Sequence, residues 1–169
     1  MSVRILKLKG KTVSNSQIQM MELVQPNDAN NLGNMHGGKV MHLIDIAAAM
    51  SGLRHCRKPV VTASVDSLDF RHPINLGSMI ILRASVNYTH KTSMEIGVRV
   101  ESENPLTGEK FHTSSAYLTF VALDENGKPT EIPNVIPETE IEKRRYEAAI
   151  KRRELRMKAH SELISENVS

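Results

Sequence analysis

The sequence predicts a single α+β domain in which a curved antiparallel sheet wraps around one long central helix, with a polar helix appended at the C-terminal end. Three observations carry that reading. Residues 39–53 (KVMHLIDIAAAMSGL) are apolar nearly all round, as in a helix buried on every side. One strand-like segment precedes this run and four follow it. A helix of that kind needs a wrapper, and those five strands are what the chain offers.

Taken in order, residues 16–24 (SQIQMMELV) read as the first strand, stopped by Pro26 and the turn-prone Asn27 and Asp28. An Asn-rich loop, NDANNLGN, leads to Met35, His36, Gly37 and Gly38, and then to the helix. Arg54 and His55 follow it, where basic groups complement a helix C-terminus. The next strand, 60–70, places Val61, Ala63 and Val65 inward, then Leu68 and Phe70. That slip of parity near Asp66 and Ser67 predicts a β-bulge. Residues 79–89 put Ile80, Leu82, Ala84, Val86 and Tyr88 on one face. Residues 94–101 alternate cleanly, with Met94, Ile96, Val98 and Val100 against Glu95, Gly97, Arg99 and Glu101. A turn at 104–108 leads to the last long strand, 109–123, which the loop at 124–127 ends. After Pro129, Pro133 and Pro137, residues 138–160 form a highly charged helix with an acidic start and a basic continuation. Its few apolar positions predict a solvated or loosely docked element. The division is a core domain over 14–136 and a charged helix and tail over 137–169.

Composition narrows the class. With 40% apolar and 24% charged residues, the chain of 169 is an ordinary globular one, long enough for a real core. No Trp and 4% aromatics leave the core to Val, Ile, Leu, Met and Ala. The nine Met fill that core or line an adaptable apolar surface. A single cysteine, Cys56, excludes an internal disulfide and suits a reducing compartment; its thiol is a nucleophile or an inert buried group. No run approaches the ~20 apolar residues of a membrane span, and residues 1–11 hold no signal-peptide core. A cytoplasmic protein is expected. A net charge of +3 favours anionic partners, but no RNA-binding signature or zinc-finger spacing appears, and nucleic acid is not expected.

Asp45 is the anomaly, a carboxylate inside the most apolar stretch of the chain. Burial there costs several kcal/mol unless the group is partnered or used. Either it is a structural Asp satisfied by Ser, Thr or backbone of a neighbouring strand, or it is a functional acid. Gly37 and Gly38 open the same helix. They serve a tight loop, or they let a ligand approach the unpaired N–H groups at the helix start, which can hold an oxygen that gains negative charge. Gly38 and Asp45 are about two turns apart, ~10 Å along the axis, too far to meet one reacting carbonyl from one helix. If both act on one bond, Asp45 meets the glycine end of a second, antiparallel copy, and a dimer holds two equivalent sites. Asn30, Asn31 and Asn34 form turns or orient a ligand. His36, His42 and Asp45 lack a metalloprotease spacing and an obvious third ligand, so no metal is expected.

The segments DANNLGNMHGGKVMHLIDIAAAMSGLRHC, VVTASVDSLDF, KTSMEIGVRVESENPLTGEK and IPETEIEKRRYE closely resemble the hotdog-fold acyl-CoA thioesterases, the family of brain acyl-CoA hydrolase and its bacterial relatives. The likeness runs from about residue 19 to the terminal helix, with four separated motifs in the family's order. It implies hydrolysis of fatty acyl-CoA to fatty acid and CoA, without a further cofactor, in a homohexamer built as a trimer of hotdog dimers. It implies Asn30 and Asp45 as the catalytic pair, supplied by different subunits, with Asp45 as general base or nucleophile. Backbone N–H groups at Gly37 and Gly38 would then hold the thioester oxygen. Lys91, Thr92 and Ser93 are implied for the CoA moiety. Related enoyl-CoA hydratases place a His five residues after the Asp; Met50 stands there instead, which disfavours hydration. A non-enzymatic acyl-CoA-binding or regulatory module is the alternative.

Overall fold

Every strand of the main sheet lies within three residues of its predicted start, but the pairing order differs from the chain order. The computed structural model describes residues 8–166. Its elements are β1 (Lys11–Thr12), β2 (Ile18–Leu23), α1 (Gly37–Cys56), β3 (Val60–Phe70), β4 (Met79–Thr89), β5 (Ser93–Glu103), β6 (Lys110–Ala122), β7 (Val135–Ile136) and α2 (Glu140–Glu166). Five strands form one antiparallel sheet in the order β2-β4-β5-β6-β3. β3 crosses to the far edge and pairs with β6 instead of making a hairpin with β4. The parallel pair of β1 and β7 is too short to show a sequence period.

Packing of α1 corrects the expectation of burial all round. Val40, Leu43, Ile44, Ala47, Ala48 and Ser51 are buried against the sheet. Gly52 keeps the approach close, since a Cβ there would lie 3.2 Å from Ile96 Cδ1. The other side is bare: Met41, Met50 and Leu53 are nearly half exposed. One sheet covers only one side of a helix, so the chain by itself cannot bury this run. α1 ends on Arg57 in the left-handed region (φ 56°), whose N–H reaches Leu53 O at 2.9 Å.

Two inserted residues corrected the predicted facing of side chains. The pairing of β3 with β6 shifts between Val65 and Ser67, where a bulge was predicted, and also between Thr62 and Ser64. Thr62, Val65 and Leu68 consequently lie opposite Phe120, Leu118 and Ala116, on the face towards α1. Val61 lies opposite Val121 and faces away, because Ala63 is the extra residue. A third shift, between Val86 and Tyr88, makes Asn87 the extra residue in β4. Tyr88 therefore leaves the core face that Ile80, Leu82, Ala84 and Val86 share. Its ring packs edge-on against Tyr146 of α2, with centroids 5.2 Å apart. The alternation of β5 holds, with Met94, Ile96, Val98 and Val100 all buried.

Far from being solvated, α2 lies firmly on the sheet face opposite α1. Ala149 is fully buried, and Arg152 donates to Glu95 from Nη2 at 2.7 Å and from Nε at 3.1 Å. Its guanidinium stands 3.7 Å from the ring centre of Tyr117. Arg156 pairs with Asp66. Few apolar residues were needed, because arginine stems cover surface while their heads pair.

His55 also departs from its expected role as an exposed helix-end cation. Its ring is fully buried, and Nε2 must donate to Pro133 O (2.8 Å), since a carbonyl only accepts. Nδ1 then accepts nothing from the described residues. Burial pushes its pKa below the ordinary 6.5, with the Lys11 charge adding to that and the Pro133 bond opposing it. As the pH falls below about 6.5 the unfolded chain takes up a proton that the folded chain resists, so stability is lost on the acid side. Urea midpoints should fall between pH 7.5 and 5.5, and His55→Gln, which keeps a donor for Pro133, should flatten that slope. Cys56 is buried and burial pushes its thiol pKa up, which speaks for the inert alternative. Among the described residues no helix is long and apolar enough to cross a membrane.

Candidate active site

The site starts from the loop that delivers the chain into α1. His36 N bonds Asp28 O (2.8 Å), Asn30 N bonds Asn34 O (2.7 Å) and Met35 N bonds Ile74 O (2.7 Å), closing the loop over Gly33 at φ 75°. Lys39 Nζ reaches back to Asp28 at 3.3 Å. This framework fixes the path of the loop from Asp28 into the first turn of α1.

Asn30 is held as a turn former: its Oδ1 accepts from Leu32 N (2.9 Å) and Asn34 N (3.2 Å). Both lone pairs are then engaged, so only the Nδ2 donors can face a ligand. Asn30 can grip a carbonyl oxygen and no longer accept from a water. Asn31 is exposed, and Asn34 belongs to the same turn.

Gly37 and Gly38 are exposed and precede the first helical bonds, which run from Lys39 N and Val40 N to His36 O. His36, at the N-cap, makes no side-chain cap. The donors at the positive end of α1 are thus unclaimed by the usual Ser, Thr, Asp or Asn. A Cβ on Gly38 would meet nothing within 4 Å; one on Gly37 would lie 3.5 Å from the Phe70 ring.

Asp45 emerges on the bare side of α1, partly exposed rather than sealed in the core. Thr62 Oγ1 donates to its Oδ1 at 2.6 Å. That bond is the strand-Thr partner the sequence allowed for, and it orients one oxygen. The other oxygen takes no hydrogen bond among the described residues. Thr62 itself escaped sequence reasoning, because nothing in VVTASV distinguishes it from any strand threonine.

Within one chain, then, Asn30 lies in the loop that leads into α1, Gly37 and Gly38 form the first turn of that helix, and Asp45 stays seven residues beyond Gly38, ~10 Å by helical rise. Lys91, Thr92 and Ser93 occupy the turn between β4 and β5, closed by His90 N to Ser93 O at 2.8 Å. Thr62 lies opposite Phe120, and Phe120 opposite Met94. The turn is therefore about two strand spacings, ~10 Å, from the Thr62 level. His36 and His42 stay on the surface, and no three His, Cys, Asp or Glu among the described residues gather as metal ligands. A concavity of about 720 Å³ opens on the other sheet face beside α2, lined by Arg83, Arg99, Arg144, Arg145 and Arg152. It does not include Asn30 or Asp45.

A sheet-wrapped helix whose carboxylate accepts from a strand hydroxyl is an arrangement shared with proteins of known family. Residues 32–109 match the thioesterase superfamily. The chain is 44% identical to Protein VdlD of Helicobacter pylori, over 88% of its own length and 85% of that protein. It superposes on an apo-hexameric acyl-CoA thioesterase with a TM-score of 0.88 at 45% identity, covering 90% of this chain and 98% of that one. An alanine variant of an aspartate in Staphylococcus aureus acyl-CoA hydrolase superposes with a TM-score of 0.87 at 36% identity, over 94% and 97% of the two chains. That hydrolase has also been solved with butyryl-CoA and CoA, as an asparagine-to-alanine variant with CoA, and as a threonine-to-alanine variant. This chain belongs to the thioesterase superfamily.

Proposed function

We infer that this protein hydrolyses fatty acyl-CoA to a fatty acid and CoA, in sites that each draw on two subunits. The observation that carries the reading is the bare side of α1. It presents Asp45, oriented by Thr62, at a fixed distance from an uncapped helix start that the same bond would need. A second copy laid antiparallel along this side brings its own Asn30 and glycine N–H groups to Asp45 and covers Met41, Met50 and Leu53. The spacing of the S. aureus residues supports the assignment. Its substituted asparagine, aspartate and threonine are separated by 15 and 17 positions, as are Asn30, Asp45 and Thr62 here.

In this mechanism Asp45 takes a proton from a water whose oxygen attacks the thioester carbonyl carbon. Asn30 Nδ2 and the helix-start N–H groups of the second subunit hold the carbonyl oxygen as it becomes negative. The C–S bond then breaks, the proton passes to the departing thiolate, and acid and CoA leave. No further cofactor is needed, since CoA is part of substrate and product. We assign Lys91, Thr92 and Ser93 to the CoA moiety of the substrate. The subunits assemble as dimers and these as a trimer of dimers, six copies as in the hexameric relative. A cytoplasmic location fits a chain whose one cysteine is a reduced thiol.

Mixing inactive subunits tests the shared site. Asn30→Ala and Asp45→Ala proteins, each inactive alone, are unfolded and refolded together and assayed for thiol release from acyl-CoAs of graded chain length. Half of the randomly formed dimers are mixed, and each mixed dimer holds one intact site, so about one quarter of wild-type activity should return. No recovery would place both residues in one subunit's site. No thiol release by the wild-type protein from any chain length would favour the acyl-CoA-binding module.

A further inference from the structure

Helix α2 touches four strands in succession, and its last described grip falls on the strand that carries Thr62. Tyr146 meets Tyr88 on β4, Arg152 meets Glu95 on β5 and the Tyr117 ring on β6, and Arg156 meets Asp66 on β3. Arg152 and Arg156 are four residues apart and so share one side of the helix. Glu95, only 3% exposed, is further fixed by Asn87 Nδ2 at 3.1 Å, which makes the Arg152 grip a rigid anchor. Arg156 projects from that anchor to the sheet edge.

Asp66 is the extra residue of the second β3 bulge. Bulged residues are left without a ladder partner, and the strand there bends and twists more than its neighbours. Something else must set the local path, and the Asp66 carboxylate is held from two sides. Arg156 takes Oδ2, and Ser64 Oγ donates to Oδ1 at 3.2 Å. Ser64 is the first residue to pair again after the other bulge, and Thr62 is the last to pair before it. The two bulges thus frame a short stretch, 62–67, at an open sheet edge. It holds Thr62, bonded to Asp45 on one sheet face, and Asp66, bonded to Arg156 on the other.

We propose that Arg156, through Asp66 and Ser64, is a positioning residue that sets the β3 double bulge and thereby aims Thr62 at Asp45. Arg156 does not touch substrate; α2 holds the catalytic carboxylate's partner from the reverse side of the sheet. This inference rests on Asp45 being the catalytic base.

The test is steady-state thiol release by the full oligomer. Arg156→Gln should lower kcat about tenfold with KM changed less than twofold and the melting midpoint nearly unmoved, because only one partly exposed ion pair is lost. Asp66→Asn, close in shape, should do the same, and Arg156→Lys should recover most of the rate. In a Thr62→Ala background Arg156→Gln should cost less than twofold, since the residue it positions is gone. Full kcat in both Arg156→Gln and Asp66→Asn would overturn the proposal. So would a tenfold cost that persists without Thr62, which would assign Arg156 a general structural role. Asp45→Ala separates this failure from failure of the catalytic reading: a slow Asp45→Ala beside a fast Arg156→Gln sinks only the positioning role.

Discussion

Asp45→Ala should reduce kcat for acyl-CoA hydrolysis by about 10³-fold, the middle of the range for a general base, while the protein stays folded. Two features separate the chemical cost from the structural one. The carboxylate is partly exposed, so its removal opens no sealed cavity, and among the described residues the only bond lost is the one from Thr62. A hydrogen bond at such a site contributes about 1 kcal/mol. Unfolding midpoints should therefore differ little between the two proteins even as turnover collapses. Asp45→Asn sharpens the comparison, because the amide keeps an acceptor for Thr62 and loses only basicity. Thiol release measured with a thiol reagent decides the matter. Retention of more than a tenth of the wild-type kcat in both variants would remove Asp45 from the reaction.

Val65→Lys should convert the oligomer to monomers and take the activity with it, more than 10²-fold at equal chain concentration. β3 is an edge strand of 11 residues with no strand on its outer side among the described residues, an invitation to pair with another strand. Its apolar side chains are too exposed for a lone domain: Val65 is 49% and Phe70 51% accessible. They adjoin the bare side of α1, making one apolar surface over an edge and a helix of the kind that marks a subunit interface. A lysine at Val65 sets a charge in the middle of that surface and blocks pairing of the strand. Sedimentation velocity reads the mass and the thiol assay reads the rate. A variant that stays oligomeric and active would show that subunits meet elsewhere.

Much of this was legible in the residues because it depends on short-range pattern. The α1 run shows as one long apolar stretch and β5 by its strict alternation, and Asp45 stands out because a carboxylate contradicts its neighbours. Val61 and Tyr88 were mis-faced for one reason: a bulge shifts parity by one residue, and only the partner strand shows where the extra residue sits. Only the bulge at Asp66 left a trace, a break in apolar alternation; Ala63 and Asn87 left none. The pairing of β3 with β6 was invisible because it is a long-range choice. The docking of α2 was hidden because arginine reads as solvated until Glu95, Tyr117 and Asp66 are placed beneath it. Thr62 was hidden because hydroxyl-to-carboxylate contact across a helix and a strand has no sequence spacing of its own.

The bare beginning of α1 links the protein's folding to its cargo. Helices normally satisfy their leading amides internally, and an N-cap side chain is worth about 1 kcal/mol; with His36 there, that stabilisation is missing from the empty protein. An acyl carbonyl seated at Gly37 and Gly38 would finish the first turn as a borrowed cap. Occupancy and rigidity of this corner then rise together, and an occupied enzyme is a more resistant one.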